Sequence, residues 1–297
     1  MRGKLVVSVC LSFLLVLVGV ISVFGAEAGG FLAVGPGGKV AGNGGAYVTS
    51  IEDATASYWN PAGLARLDSP ELVTILGELH NGILETTGIS VAAPTKFGVL
   101  GATWVRLGTE SIPRTTDEDG YIVPTGEFFE AGESAMTLAF ARALTDKLSV
   151  GAIFKNIIYN FDEKIGRGNG WDLGLRYDIN DMFSVGLLGQ HINTTVKWTS
   201  GTDTSISPKV RIGALAKVYK KRLTLAADVD MSSAQEREIS WGVAYALGDN
   251  IVVRLSRDYN EYSRGIGFNA GNCEFSYDWI VREGIGYVGY FSTRYEF

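Results

Sequence analysis

The chain offers few residues with which to do covalent or metal chemistry. Histidine occurs only at His80 and His191, and no serine or cysteine stands at a spacing from either that a nucleophile–base pair would use. Both are expected at strand ends, His80 beside an Asn81-Gly82 turn and His191 near an outer rim. No run of His, Cys, Asp and Glu has the spacing of a metal site, and nothing calls for a cofactor. The reading is therefore not of an enzyme. Asp228 and Asp230 share one face of a strand, where pairing with Arg211 or Arg254 is the expected use and cation binding the rival. Asp117-Glu118-Asp119 reads as a solvated loop, with a calcium bridge to lipopolysaccharide as the alternative. Gly166-Arg167-Gly168-Asn169-Gly170 has the glycines of a phosphate loop but joins two strands, and so reads as a hairpin.

Residues 1–28 are set aside before the fold is considered. Arg2 and Lys4 precede an apolar run from Leu5 to Phe24, which reaches Ala26-Glu27-Ala28. This is the plan of a cleaved export signal. Val23-Phe24-Gly25 is a second cut site, and an uncleaved anchor is the rival reading. The mature chain keeps only Cys273, so no intramolecular disulfide is expected. Removing 1–28 takes away two basic residues and one acidic residue, which moves the formal charge from −6 to −7. A chain of that sign is no partner for nucleic acid. Glycine is abundant (38) and proline scarce (7), a composition that suits many strands joined by tight turns.

From about Glu71 onward apolar and polar residues alternate in runs of about ten. Trp171, Leu173, Leu175, Tyr177 and Ile179 fall on one face, with Asp172, Gly174, Arg176 and Asp178 on the other. Leu223 to Met231, Ile239 to Leu247 and Cys273 to Arg282 repeat the pattern. A period of two marks a strand between two different environments. Runs of 9–12 residues match a tilted membrane crossing better than an ordinary globular strand. Fourteen such segments are expected, at 71–80, 84–93, 97–107, 134–144, 148–159, 170–179, 182–193, 208–219, 222–231, 238–247, 250–258, 263–271, 273–282 and 287–297; twelve is the alternative count. Tight turns such as Pro94-Thr95-Lys96 and Lys220-Lys221 alternate with long joins near 108–133, 160–169, 194–207 and 232–237. The fold class is thus an all-β, antiparallel transmembrane β-barrel spanning 71–297. Trp104, Trp171, Trp198, Trp241 and Trp279 are expected in its interfacial girdles. At the end Tyr287, Gly289, Phe291, Thr293, Tyr295 and Phe297 share a face. Tyr295 and Phe297 resemble the terminal signal read by the outer-membrane barrel assembly machinery.

Residues 29–70 do not alternate. They start glycine-rich, and then Asp53 is placed to cap one short helix and Asn60 a second, with Pro61 at its first turn. Forty residues cannot build a core of their own. They are expected inside the barrel, as a plug with small helices. The stretch Asp53-Ala54-Thr55-Ala56-Ser57-Tyr58-Trp59-Asn60-Pro61-Ala62-Gly63-Leu64 resembles the N-terminal hatch of FadL-type outer-membrane transporters, and more closely that of the related PorV/PorQ-type proteins. The resemblance implies a fourteen-stranded barrel plugged by this segment, with Asp53, Asn60, Pro61, Ala62 and Gly63 at the gate. It implies uptake or holding of small hydrophobic, fatty-acid-like molecules. The alternatives are an accessory barrel that binds a secreted protein partner, and a purely structural barrel in outer-membrane lipids.

Overall fold

The computed structural model describes residues 29–79, 82–232, 238–258, 261–282 and 286–297. The expected leader at 1–28, His80 and Asn81 of the first turn, and most of the 232–237 join lie outside them. Fifteen strands follow in order: β1 (Glu71–Leu79), β2 (Leu84–Thr95), β3 (Gly98–Glu118), β4 (Tyr121–Ala143), β5 (Leu148–Phe161), β6 (Lys164–Asp178), β7 (Phe183–Trp198), β8 (Asp203–Ile206), β9 (Lys209–Val218), β10 (Leu223–Asp230), β11 (Glu238–Leu247), β12 (Ile251–Asp258), β13 (Glu261–Ala270), β14 (Cys273–Arg282) and β15 (Gly286–Glu296). Each pairs antiparallel with its neighbours, except that β8 lies only against the outer end of β7 and β7 goes on to pair with β9. β1 pairs with β15, with Glu71 opposite Glu296, and so the sheet closes into a ring of fourteen.

The two faces of this ring differ as the alternation predicts. Leu76 is 57% exposed and Leu138 54%, whereas Thr137 and Asp172 are fully buried. Outward Trp104, Trp171, Trp241 and Tyr277 stand among leucines and isoleucines around the whole wall. An apolar surface this continuous suits lipid rather than water. Among the described residues no helix is long and apolar enough to cross a membrane, which says nothing of strands.

Three of the expected long joins are corrected. Residues 108–133 are not a loop: β3 and β4 stay paired to Glu118 and Tyr121, and the chain reverses at Asp119-Gly120. Residues 160–169 likewise continue β5 and β6, and 194–207 are the end of β7 with β8. The β3–β4 ribbon stands clear of the barrel, where both faces meet water, so it carries no alternation to mark it as strand; the β5–β6 and β7–β8 extensions keep one buried face, with Tyr159, Val196 and Ile206 inside. His191 is also misplaced by the sequence reading. Leu173, Trp171 and Asn169 of β6 face Gly189, Ile192 and Thr195 of β7, so β7 gains one residue twice. Each bulge shifts the inward–outward phase. Leu188 through His191 are consequently all buried, and His191 takes φ 58. Trp198, two positions beyond buried Val196, turns inward rather than to the girdle, and its Nε1 donates to Thr204 Oγ1 at 3.0 Å.

Candidate functional site

The polar interior of the ring is filled by the chain that precedes β1. It contains three short 3-10 helices (Gly30–Ala33, Ala54–Ser57 and Pro61–Arg66) and one turn of α-helix at Gly38–Gly42. None is long enough to be stable alone. Phe31, Tyr47, Tyr58, Trp59 and Leu64 are buried between this segment and inward-facing wall residues. Asp53 accepts the Thr55 N–H at 3.0 Å, and Asn60 accepts the Ala62 N–H at 3.1 Å with Pro61 in the first turn. The Asn60 Nδ2 also donates to the Val48 carbonyl, which ties the two halves of the segment together. A Cβ at Gly63 would strike the Ile51 carbonyl, and one at Gly174 on β6 would strike Asn60. The wall and the segment meet there at backbone distance.

Charge fastens the segment to the wall at several places, Arg66 with Asp178 of β6 among them. At the β1–β15 seam Lys39 Nζ lies 3.1 Å from Asp53 and 2.9 Å from Glu274. Arg294 bridges Glu274 at 3.1 Å and Glu71 at 2.7 Å, and Glu71 accepts the Ala54 N–H. Across the lumen Glu52 meets Arg176 at 2.6 Å and Lys217 at 2.7 Å, while Arg176 also donates to the Thr49 carbonyl. Asp228 accepts two successive backbone N–H groups, Tyr47 at 2.7 Å and Val48 at 2.8 Å. The expected aspartate pairings divide accordingly: Asp230 pairs with Arg211, Asp228 with the segment's backbone, and Arg254 with Asp278. Among the described residues no three carboxylate, histidine or cysteine groups gather for a metal.

These contacts set the charge states of the segment. Burial works against the carboxylates of Glu52 and Asp53, but Arg176 and Lys217 beside the first and Lys39 and Thr55 beside the second outweigh it, so both pKa values fall. For Lys39 burial is again the largest influence, and Asp53 and Glu274 overcome it and raise its pKa.

Cavities lie between segment and wall, two of them notable. The smaller, of about 20 Å³, has the size of a single water and lies within the Lys39–Asp53–Glu274–Arg294 cluster. The larger, of about 180 Å³, lies at the end of the barrel that carries the long ribbons. Its floor is Val34, Gly37 and Val40 of the segment, and its wall is Leu79, Ile280, Val288 and Tyr290. Asp258, Glu261 and Ser263 form one polar side.

No protein-family model and no curated protein matches the chain. Solved structures do. The Ralstonia pickettii toluene transporter TbuX superposes with a TM-score of 0.61 at 14% identity, over 90% of this chain and 100% of that one. The Pseudomonas putida toluene transporter TodX gives 0.62 at 14% identity, over 93% and 100%. A Pseudomonas aeruginosa FadL homologue gives 0.53 at 11% identity, over 86% and 96%. The chain has the FadL-type fold.

Within this fold the residues singled out from sequence separate into two groups. Asn60, Pro61, Ala62 and Gly63 pack against β5 and β6 near the short-turn end, and none lines the larger cavity; Asp53 lines the smaller one. Tyr295 and Phe297 lie together on the outer surface of the seam with ring centroids 4.8 Å apart, and the Phe297 N–H donates to the Pro70 carbonyl. Sequence reasoning missed the cavity. Its one signal was the glycine run from Gly29 to Gly45, which supplies a thin floor. The wall residues are inward positions scattered over five strands, and nothing in their order announces that they meet.

Proposed function

We propose that this barrel lies in a bacterial outer membrane and takes up small hydrophobic molecules. The larger cavity carries the reading: a chamber at the barrel's ribbon end with Leu79, Ile280, Val288 and Tyr290 on one side and a floor of glycine-rich backbone, in a fold shared with toluene transporters. A molecule enters from the ribbon end, rests on Val34 and Val40, and passes on when the segment below shifts. Asn60 to Gly63 hold that lower half and act as its gate, and Asp53 anchors it. At about 180 Å³ the chamber is smaller than the several-hundred-Å³ sites of drug-sized ligands, which favours a single-ring molecule over a long acyl chain. Tyr295 and Phe297 serve assembly, as the edge that the barrel assembly machinery engages.

The test is uptake. Cells producing the protein, and cells producing none, are given a labelled monoaromatic hydrocarbon and a labelled fatty acid. Faster entry of the hydrocarbon only in producing cells is expected. Equal entry in both strains would remove the transport reading and leave a sealed structural barrel.

A further inference from the structure

Short turns close the end of the barrel where β1 begins and β15 ends, and one of them differs in charge. Between β9 and β10 stand Tyr219, Lys220, Lys221 and Arg222, all exposed. The turns on either side are acidic, with Asp181 between β6 and β7 and Asp249 between β11 and β12. Elsewhere on this rim β2–β3 carries Lys96 alone, β4–β5 sets Lys147 beside Asp146, and Gly271-Asn272 is uncharged. Among the described residues no carboxylate pairs with Lys220, Lys221 or Arg222, whereas Lys217, the next cation inward, is held by Glu52 at 2.7 Å.

The backbone of this turn is as unusual as its charge. Tyr219, Lys220 and Lys221 take φ 50, 55 and 63, three successive residues in the left-handed region. Elsewhere among the described residues a non-glycine with such an angle stands singly. Each Cβ there crowds the following carbonyl, and an Asn-Gly pair would turn the chain without that strain. Strain kept at a surface turn is the mark of a functional contact. The outward wall starts at the foot of the turn, where Val218 pairs with Leu223. Exposed Leu225 and Ile212 continue it, and Met182, Phe183 and Leu247 flank it on neighbouring strands.

We propose that the β9–β10 turn binds the headgroup of an anionic glycerophospholipid, with Lys220, Lys221 and Arg222 around the phosphodiester and the acyl chains along Leu223 and Leu225. The assignment needs only the barrel's place in a membrane and is independent of the uptake reading. Each basic residue at a membrane boundary favours anionic lipid by about fivefold. Asp181 and Asp249 repel the same headgroup and hold the gain below the product of three such factors. A free phosphate has no chains to keep it at the rim, and salt screens these exposed cations from it.

Native mass spectrometry of the purified full-length protein in detergent tests this, with phosphatidylglycerol and phosphatidylcholine of the same acyl chains as probes. Phosphatidylglycerol is expected to bind about tenfold more tightly. Lys220→Asn, Lys221→Gly and Arg222→Gln together remove the charge and ease the left-handed backbone, so the variant should fold as well as the original, with heat-modifiable mobility as the check. The two lipids should then bind alike. Lys96→Gln with Lys147→Gln takes two cations from the same rim and should leave the preference intact. Equal binding of the two lipids to the unaltered protein, or a preference that survives in the triple variant, would overturn the site. Loss of the preference in the Lys96 and Lys147 variant would replace it with a general attraction of the rim. Displacement of the lipid by an equal concentration of inorganic phosphate would make the turn a site for free anions instead.

Discussion

Asn60 does two jobs with one amide, since its oxygen caps the Pro61–Arg66 turn and its nitrogen holds the Val48 carbonyl. Asn60→Ala removes both contacts in a fully buried place, at a cost of about 1–3 kcal/mol. Hydrogen exchange by mass spectrometry should then quicken in residues 45–66 while the strands keep their protection; unchanged protection would mean that neither bond holds the segment. The ionised neighbours give a second expectation. Because Glu52 and Asp53 titrate lower in the folded chain than in the unfolded one, their stabilisation is complete above the ordinary carboxylate values of 4.5 and 3.8 and drains away as pH falls through the depressed ones. Lys39 does the reverse: its share is whole below 10.5 and is lost as pH rises through its elevated value. These three groups therefore predict that proteolytic nicking of the segment rises below about pH 5 and again above about pH 10. The caps at Asp53 and Asn60 could be read from sequence because a cap is local. The partners of Lys39 and Glu52 could not, because Glu274 and Lys217 arrive from distant strands that only the closed ring brings near.

Among the strands, side-chain direction was legible wherever lipid and lumen impose different chemistry. β6 shows this best, with Trp171, Leu173 and Tyr177 outward and Asp172 and Arg176 buried within. Where that contrast ends the period ends too, which is why the β3–β4 ribbon read as a loop. Where β7 bulges the phase slips, and Gln190 and His191 both enter the interior. The direction of the wall is open to measurement. Leu173→Arg puts a charge into lipid and should cost about 2–4 kcal/mol in refolding titrations, whereas Ser263→Arg at the larger cavity should cost little. Gly174→Arg is no fair control, because Asn60 already occupies the space a side chain would need. Ser263→Arg proving the more damaging of the two would reverse inside and outside.

For the molecule as a whole, the interior is a continuous packing of segment against wall. Around the ring the spanning strands present inward residues or backbone to residues 30–67, through ion pairs, hydrogen bonds or close glycine contacts. Deleting residues 31–67 should leave a barrel that still migrates as a folded species and conducts ions in a planar bilayer, with the intact protein nearly closed. Equal conductance of the two would mean that the lumen is blocked by something other than this segment.

The seam between β1 and β15 adds a consequence in time. It joins residue 71 to residue 296, so its pairing must overcome the largest loop-closure entropy in the chain. The segment lies across that seam, bound through Ala54 to Glu71 on one side and through Lys39 to Glu274 on the other. It is therefore in a position to hold the two edges near each other before they zip, and to act as a template as well as a filling. If those contacts form ahead of the final pairing, Lys39→Met will slow refolding into lipid vesicles by more than it speeds unfolding. Loss appearing only in the unfolding rate would place the segment's arrival after the ring has closed.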